Sequence, residues 1–105
     1  MSMIYHVTTE KAWDQAKATG SYEVPSLVNE GFIHCSSSQE QVEGVLGRYY
    51  TGQKNLVKLE IDPEKLVSQL VYEWSPSVED TFPHVYGPIN LSAVEKVTSV
   101  EAPAA

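Results

Sequence analysis

The sequence predicts a small α+β domain with a twisted, mostly antiparallel sheet and two main helices. Two stretches combine helical spacing with capping residues, and about five or six short stretches are strand-like. Several of the strand-like stretches follow one another with no helix between them, which favours antiparallel pairing. At 105 residues the chain can bury one core and not two, so a single domain over 1–105 is expected.

Met3-Ile-Tyr-His-Val7 has the composition of a first strand, which Thr8 or Thr9 stops while capping a helix to about Ala18. Trp13, Ala16 and Lys17 fall at helical spacing, and Gly20 is a natural stop. Ser21-Tyr-Glu-Val24 is a loop, and Pro25-Ser-Leu-Val-Asn29 makes one short helical turn. In Asn29-Glu-Gly-Phe-Ile-His-Cys-Ser-Ser-Ser38, Gly31 suits a tight turn, Phe32 and Ile33 begin a short strand, and the serines open a helix. Ser37 with Glu40, and Ser38 with Gln41, stand at capping-box spacing. Val42, Val45, Leu46 and Tyr49 then give that helix one buried face, and Gly52 ends it.

Asn55-Leu-Val-Lys-Leu-Glu-Ile-Asp62 is the clearest strand, with Val57, Leu59 and Ile61 on one face and Lys58 and Glu60 on the other. Asp62-Pro63 caps a single turn through Val67, and Leu70-Val-Tyr-Glu-Trp74 is a further strand. Ser75 to Thr81 has the composition of a surface loop. In Phe82-Pro-His-Val-Tyr-Gly-Pro-Ile89, Pro83 and Pro88 disfavour a central ladder position while His84 to Tyr86 can still be extended. Val94 to Val100 is the last strand, and the small, polar tail 101–105 is expected to fray.

Composition narrows the function. Seven basic residues against fourteen acidic ones leave a net charge of −7, and the lysines and Arg48 are scattered, so a nucleic-acid partner is not expected. The single cysteine excludes an internal disulfide and any zinc site built on several thiolates. No apolar run approaches the roughly 18 residues of a membrane span. The start has neither a basic n-region nor an apolar h-region, so a cytoplasmic location is the default.

The three histidines lie in extended segments rich in hydroxyls or aromatics: Ile4-Tyr-His-Val-Thr8, Gly31-Phe-Ile-His-Cys-Ser36 and Phe82-Pro-His-Val-Tyr-Gly87. Alternation places His6 with Thr8, His34 with Ser36 and His84 with Tyr86, each pair on one face, and turns Cys35 toward the core. Three strands can thereby line one polar cleft. Neutral imidazoles can exchange hydrogen bonds with the hydroxyls of a polyol ligand, and one of them can act as acid or base. Tyr86, Trp74, Tyr49 and Tyr72 are candidates to stack on a ligand ring, although Trp13, Tyr49 and Tyr72 taken singly are expected in the core.

Tyr5-His-Val-Thr8, Ser26-Leu-Val-Asn-Glu-Gly-Phe-Ile-His-Cys-Ser36 and Phe82-Pro-His-Val-Tyr-Gly87 resemble the signature segments of the DUF952 family of small bacterial proteins. That family is similar, more distantly, to the ADP-ribosyltransferase superfamily, which includes the RNA 2′-phosphotransferases. The resemblance implies a split antiparallel sheet and a cleft that grips NAD or ADP-ribose as a small-molecule nucleotide ligand. It makes His6, His34 and His84 the candidate catalytic residues and Thr8, Ser36, Tyr86 and Trp74 the candidate ligand contacts. One departure stands out. Protein-modifying transferases carry a glutamate on the third segment, where this chain has His84, with Glu73 and Glu79 near in sequence but unplaced. The phosphotransferase branch holds phosphate with arginines, and this chain has one, Arg48, on a predicted helix.

Four rival readings remain. A ribonucleotide-binding module without turnover is favoured by the missing glutamate. A three-histidine metal-dependent hydrolase needs three distant strands to bring their imidazoles together. A purely structural account buries all three histidines as hydrogen-bonding residues, so that replacing them lowers stability. A Cys35 nucleophile is the weakest idea, since its neighbour His34 faces the other way. The sequence does not specify an oligomeric state.

Overall fold

A computed structural model describes residues 2–105. The chain begins with β1 (Ile4–Thr9) and α1 (Glu10–Thr19), then β2 (Ser21–Tyr22), α2 (Pro25–Asn29) and β3 (Ile33–His34). There follow α3 (Gln39–Tyr49), β4 (Leu56–Ile61), β5 (Gln69–Ser75), β6 (Asp80–Tyr86), β7 (Ile89–Asn90) and β8 (Val94–Val100). Short 3₁₀ turns occupy Pro63–Lys65 and Leu91–Ala93. This is the expected α+β class, with every strand pair antiparallel.

The strands form a three-stranded sheet β1-β4-β8, a second three-stranded sheet β3-β6-β5, and a two-stranded ribbon β2-β7. β4 is the central strand of the first sheet, which suits its alternation. Ile4, Val57, Leu59 and Ile61 face a core shared with Ala16 of α1, Tyr22 of β2, and Ile33 and Val85 of the second sheet. The opposite face puts Val7 and Leu56 under Val42 and Leu46 of α3. Burying both faces explains why two helices suffice to cover one small sheet.

Local capping agrees with the sequence. The Thr9 hydroxyl accepts from the Ala12 N–H at 3.1 Å, and Gly20, at φ +89°, closes α1 by donating to the Ala16 carbonyl at 2.7 Å. At α3 the cap is Ser38, whose hydroxyl accepts from the Gln41 N–H at 3.1 Å. The Gln41 carboxamide oxygen in turn accepts from the backbone N–H of Ser37 at 2.8 Å.

Several expectations are corrected. Tyr49 and Tyr72 are 65% and 53% exposed rather than core, Tyr72 on an edge strand that holds no fully buried residue. α3 ends at Tyr49, ahead of Gly52, which instead takes φ +80° in the following turn. Ser21–Tyr22 is a strand and not a loop, since it pairs with Ile89–Asn90 far along the chain. The turn after Asp62 stops at Lys65, short of Val67. Pro83 lies in the central strand of the second sheet. Its carbonyl accepts from Cys35 N–H at 3.0 Å, so its main chain faces the edge where β3 has just ended, and the missing N–H leaves no gap in the β5–β6 ladder. The tail is held: Gly52 N–H donates to the Pro103 carbonyl at 2.8 Å, and Ala102 packs against the α3 cluster.

Candidate functional site

The two larger sheets are joined through the backbone by one residue pair among the described residues. Tyr5 N–H donates to the Ser36 carbonyl at 2.8 Å and Ser36 N–H to the Tyr5 carbonyl at 2.7 Å, an isolated antiparallel bridge. Beyond it β1 and β3 part, and the gap opens into a cleft of about 800 Å³. His6, Thr8, His34, Ser36, Trp74 and His84 all line it. Tyr86 does not, although it shares a strand with His84.

His6 follows Tyr5 on β1 and is nearly buried. Its Nδ1 lies 2.6 Å from the His34 carbonyl oxygen and its Nε2 lies 2.7 Å from the Tyr22 hydroxyl. A carbonyl only accepts, so Nδ1 carries the hydrogen and Nε2 accepts from Tyr22 in the neutral ring. Burial drives the His6 pKa down to about 4, which keeps the ring neutral near pH 7. Burial likewise holds the Tyr22 phenol well above its usual range, so it remains a donor. Both ring nitrogens of His6 are thus committed to the protein, and the ring ties the two sheets together at the apex of the split.

His84 is built differently. Its Nδ1 lies 2.8 Å from Glu73 Oε1, and the same oxygen accepts from the Tyr86 hydroxyl at 2.5 Å. These bonds, Tyr86 first and His84 second, hold the Glu73 carboxyl below the usual carboxylate range, while Glu73 pushes the Tyr86 phenol up. Nδ1 therefore carries a hydrogen toward the carboxylate, and Nε2 has no protein partner among the described residues. The ring is fixed from its other side by Phe32, stacked on it with centroids 4.1 Å apart and planes at 18°.

His34 opposes His84 across the β3–β6 ladder, with ring centroids 5.2 Å apart. Its Nε2 lies 3.0 Å from Glu30 Oε2, four residues back at the end of α2, and the pair is half exposed. Cys35 points the opposite way into the core, as alternation requires, and burial raises its thiol pKa to about 12, which rules out a reactive thiolate near neutrality.

Phe32, Tyr22 and Glu30 lay outside the site that the sequence suggests, and Glu73 and Arg48 were named there without a place. Phe32 is the brace between His34 and His84, and Tyr22 completes His6. Glu30 and Glu73 each engage a histidine, and both signals were available: a four-residue spacing from His34, and the β5–β6 hairpin that sets Glu73 opposite Phe82 beside His84. Arg48 also lines the cleft, from the last turn of α3. The three-histidine metal reading does not find its geometry. The nitrogens of His6 are filled, and no group of three His, Cys, Asp or Glu could hold a metal ion among the described residues.

Comparison with known proteins places the chain among relatives of the same shape. A family model described as a protein of unknown function, DUF952, matches residues 7–97. The X-ray crystal structure of protein CC0527 from Caulobacter crescentus is 34% identical, with a TM-score of 0.85 over 95% of this chain and 87% of that one. The solution NMR structure of CC0527 is also 34% identical, with a TM-score of 0.80 over 96% and 86% of the two chains. Among curated proteins no match was found.

Proposed function

The chain belongs to the DUF952 family, and from the cleft it builds we propose that it binds NAD or ADP-ribose between its two sheets. The observation that carries this reading is His84. A carboxylate holds one ring nitrogen, an aromatic face fixes the plane, and the second nitrogen is left without a protein partner on a strand that lines the cleft. Such a nitrogen accepts from a ribose hydroxyl at no reorganisation cost. The remaining wall is aromatic and hydroxyl-bearing, with Trp74, Thr8 and Ser36, and a cleft of about 800 Å³ lies within the range of small-molecule sites. The split between two antiparallel sheets agrees with the arrangement that the resemblance to ADP-ribosyltransferases implies.

The same geometry supports glycosyl transfer from NAD. The acceptor bonds to the ribose anomeric carbon as the bond to nicotinamide breaks and nicotinamide leaves; His84 Nε2 takes the acceptor's proton, and Glu73 stabilises the imidazolium that forms. A second reading, binding without turnover, is favoured by the position of Glu73, which stands behind His84 and is not on the cleft wall. Calorimetry with NAD and with ADP-ribose, on the protein and on His84→Ala, tests the shared premise. The expected result is measurable binding, weakened about tenfold in the variant, which remains folded. No heat with either ligand on folded protein overturns it. Nicotinamide release from bound NAD then separates the two readings: its loss in Glu73→Gln supports transfer, and its absence in the unaltered protein leaves the binding module.

A further inference from the structure

α3 carries a glycine well inside the helix, at Gly44, where any other residue except proline would be a better helix former. A Cβ at that position would stand 2.8 Å from one terminal guanidinium nitrogen of Arg48, 3.3 Å from the other and 3.4 Å from the guanidinium carbon. The Arg48 side chain therefore lies back along the helix in the space that Gly44 leaves bare. Gly47, in the same helix, has no such neighbour. The guanidinium carbon is also 5.8 Å from the centre of the Tyr49 ring.

Arg48 is the single arginine of the chain and, among the described residues, the only lysine or arginine that lines the cleft. It forms no ion pair among the described residues. Its charge reaches Asp80, but the Asp80 carboxylate is bonded first to the Gln41 amide at 2.9 Å. The one carboxylate on the cleft wall, Glu30, is engaged by His34. In a protein of net charge −7, this rim position is a local site of the opposite sign. A guanidinium fork matches two phosphate oxygens at once, which an ammonium does not.

We propose that Arg48, seated over Gly44, is the phosphate anchor of the cleft, so that its ligand is a nucleoside diphosphate or diphosphate-linked ribose and not a free nucleoside. This rests on the nucleotide reading above. Calorimetry compares ADP-ribose with adenosine on the unaltered protein, Arg48→Gln, Arg48→Lys and Gly44→Ala. ADP-ribose binds at least tenfold more tightly than adenosine to the unaltered protein, and added salt weakens it. Arg48→Gln removes both the preference and the salt dependence while adenosine binding stays the same. Arg48→Lys restores part of the preference. Gly44→Ala raises the melting temperature through helix propensity yet weakens ADP-ribose, because the new methyl displaces the guanidinium. Equal ADP-ribose affinity in Arg48→Gln and the unaltered protein overturns the anchor and leaves the nucleotide reading standing. No ADP-ribose binding to the unaltered protein overturns both.

Discussion

His6 shows how much the charge of one residue depends on its surroundings. Its ring is neutral because burial lowers its pKa from 6.5 to about 4, an effect that the bond to the His34 carbonyl, which favours the charged form, only partly offsets. Between those two values the unfolded chain binds a proton that the native protein refuses, so stability rises with pH there. The contribution is complete above about pH 6.5 and is lost as the pH falls through 4, roughly 3 kcal/mol in all. Urea unfolding at several pH values from 4 to 7 measures it. His6→Ala is expected to be less stable by about 1–3 kcal/mol at pH 7, from unpaired partners, and to show a flatter pH slope. An identical slope in the two proteins rejects this account of His6. The charge state was illegible from Tyr5-His-Val-Thr8, since its cause is burial, which depends on the distant elements that pack around the ring.

At the scale of elements, α3 is the clearest case of local and distant signals acting together. Ser38 and Gln41 form the expected cap, and Gln41 does more: its amide donates to Asp80 and to the Thr81 carbonyl, both at 2.9 Å, tying the helix start to β6. Ser38→Ala should cost about 1 kcal/mol, a fall in melting temperature of about 4–8 °C for a domain near this size. Thermal unfolding followed by circular dichroism reads it, and an unchanged midpoint shows that the cap is dispensable. β6 teaches the opposite lesson. Proline statistics argue against a central strand, but only one of every two residues points its main chain at a given neighbour, so Pro83 is harmless on the side where β3 has ended.

For the whole molecule, closure depends on a few long-range ties. The sheets touch through the Tyr5–Ser36 bridge and the His6–His34 bond, and the chain end is pinned to the turn after α3. Removing residues 102–105 deletes the Ala102 contact and leaves Gly52 N–H without the Pro103 carbonyl. The expected loss is about 1–2 kcal/mol by urea unfolding, with ligand binding retained because the tail lies outside the cleft. Loss of ligand binding in the shortened protein would show that the tail supports the site.

Periodicity and end signals in the sequence were enough to specify the α+β class, the strands β1, β4, β5 and β8, both long helices, and the inward turn of Cys35. These are short-range effects, governed by side-chain alternation and by backbone groups a few residues apart. The same alternation put a hydroxyl beside each histidine. Tertiary structure alone decided that Tyr86 serves Glu73 behind the cleft, that Glu30 and Phe32 flank the histidines, that Arg48 reaches the rim, and that Tyr49 and Tyr72 stay exposed. Each of those outcomes depends on which strands and helices become neighbours, and contacts across a split sheet leave no period in the chain that makes them.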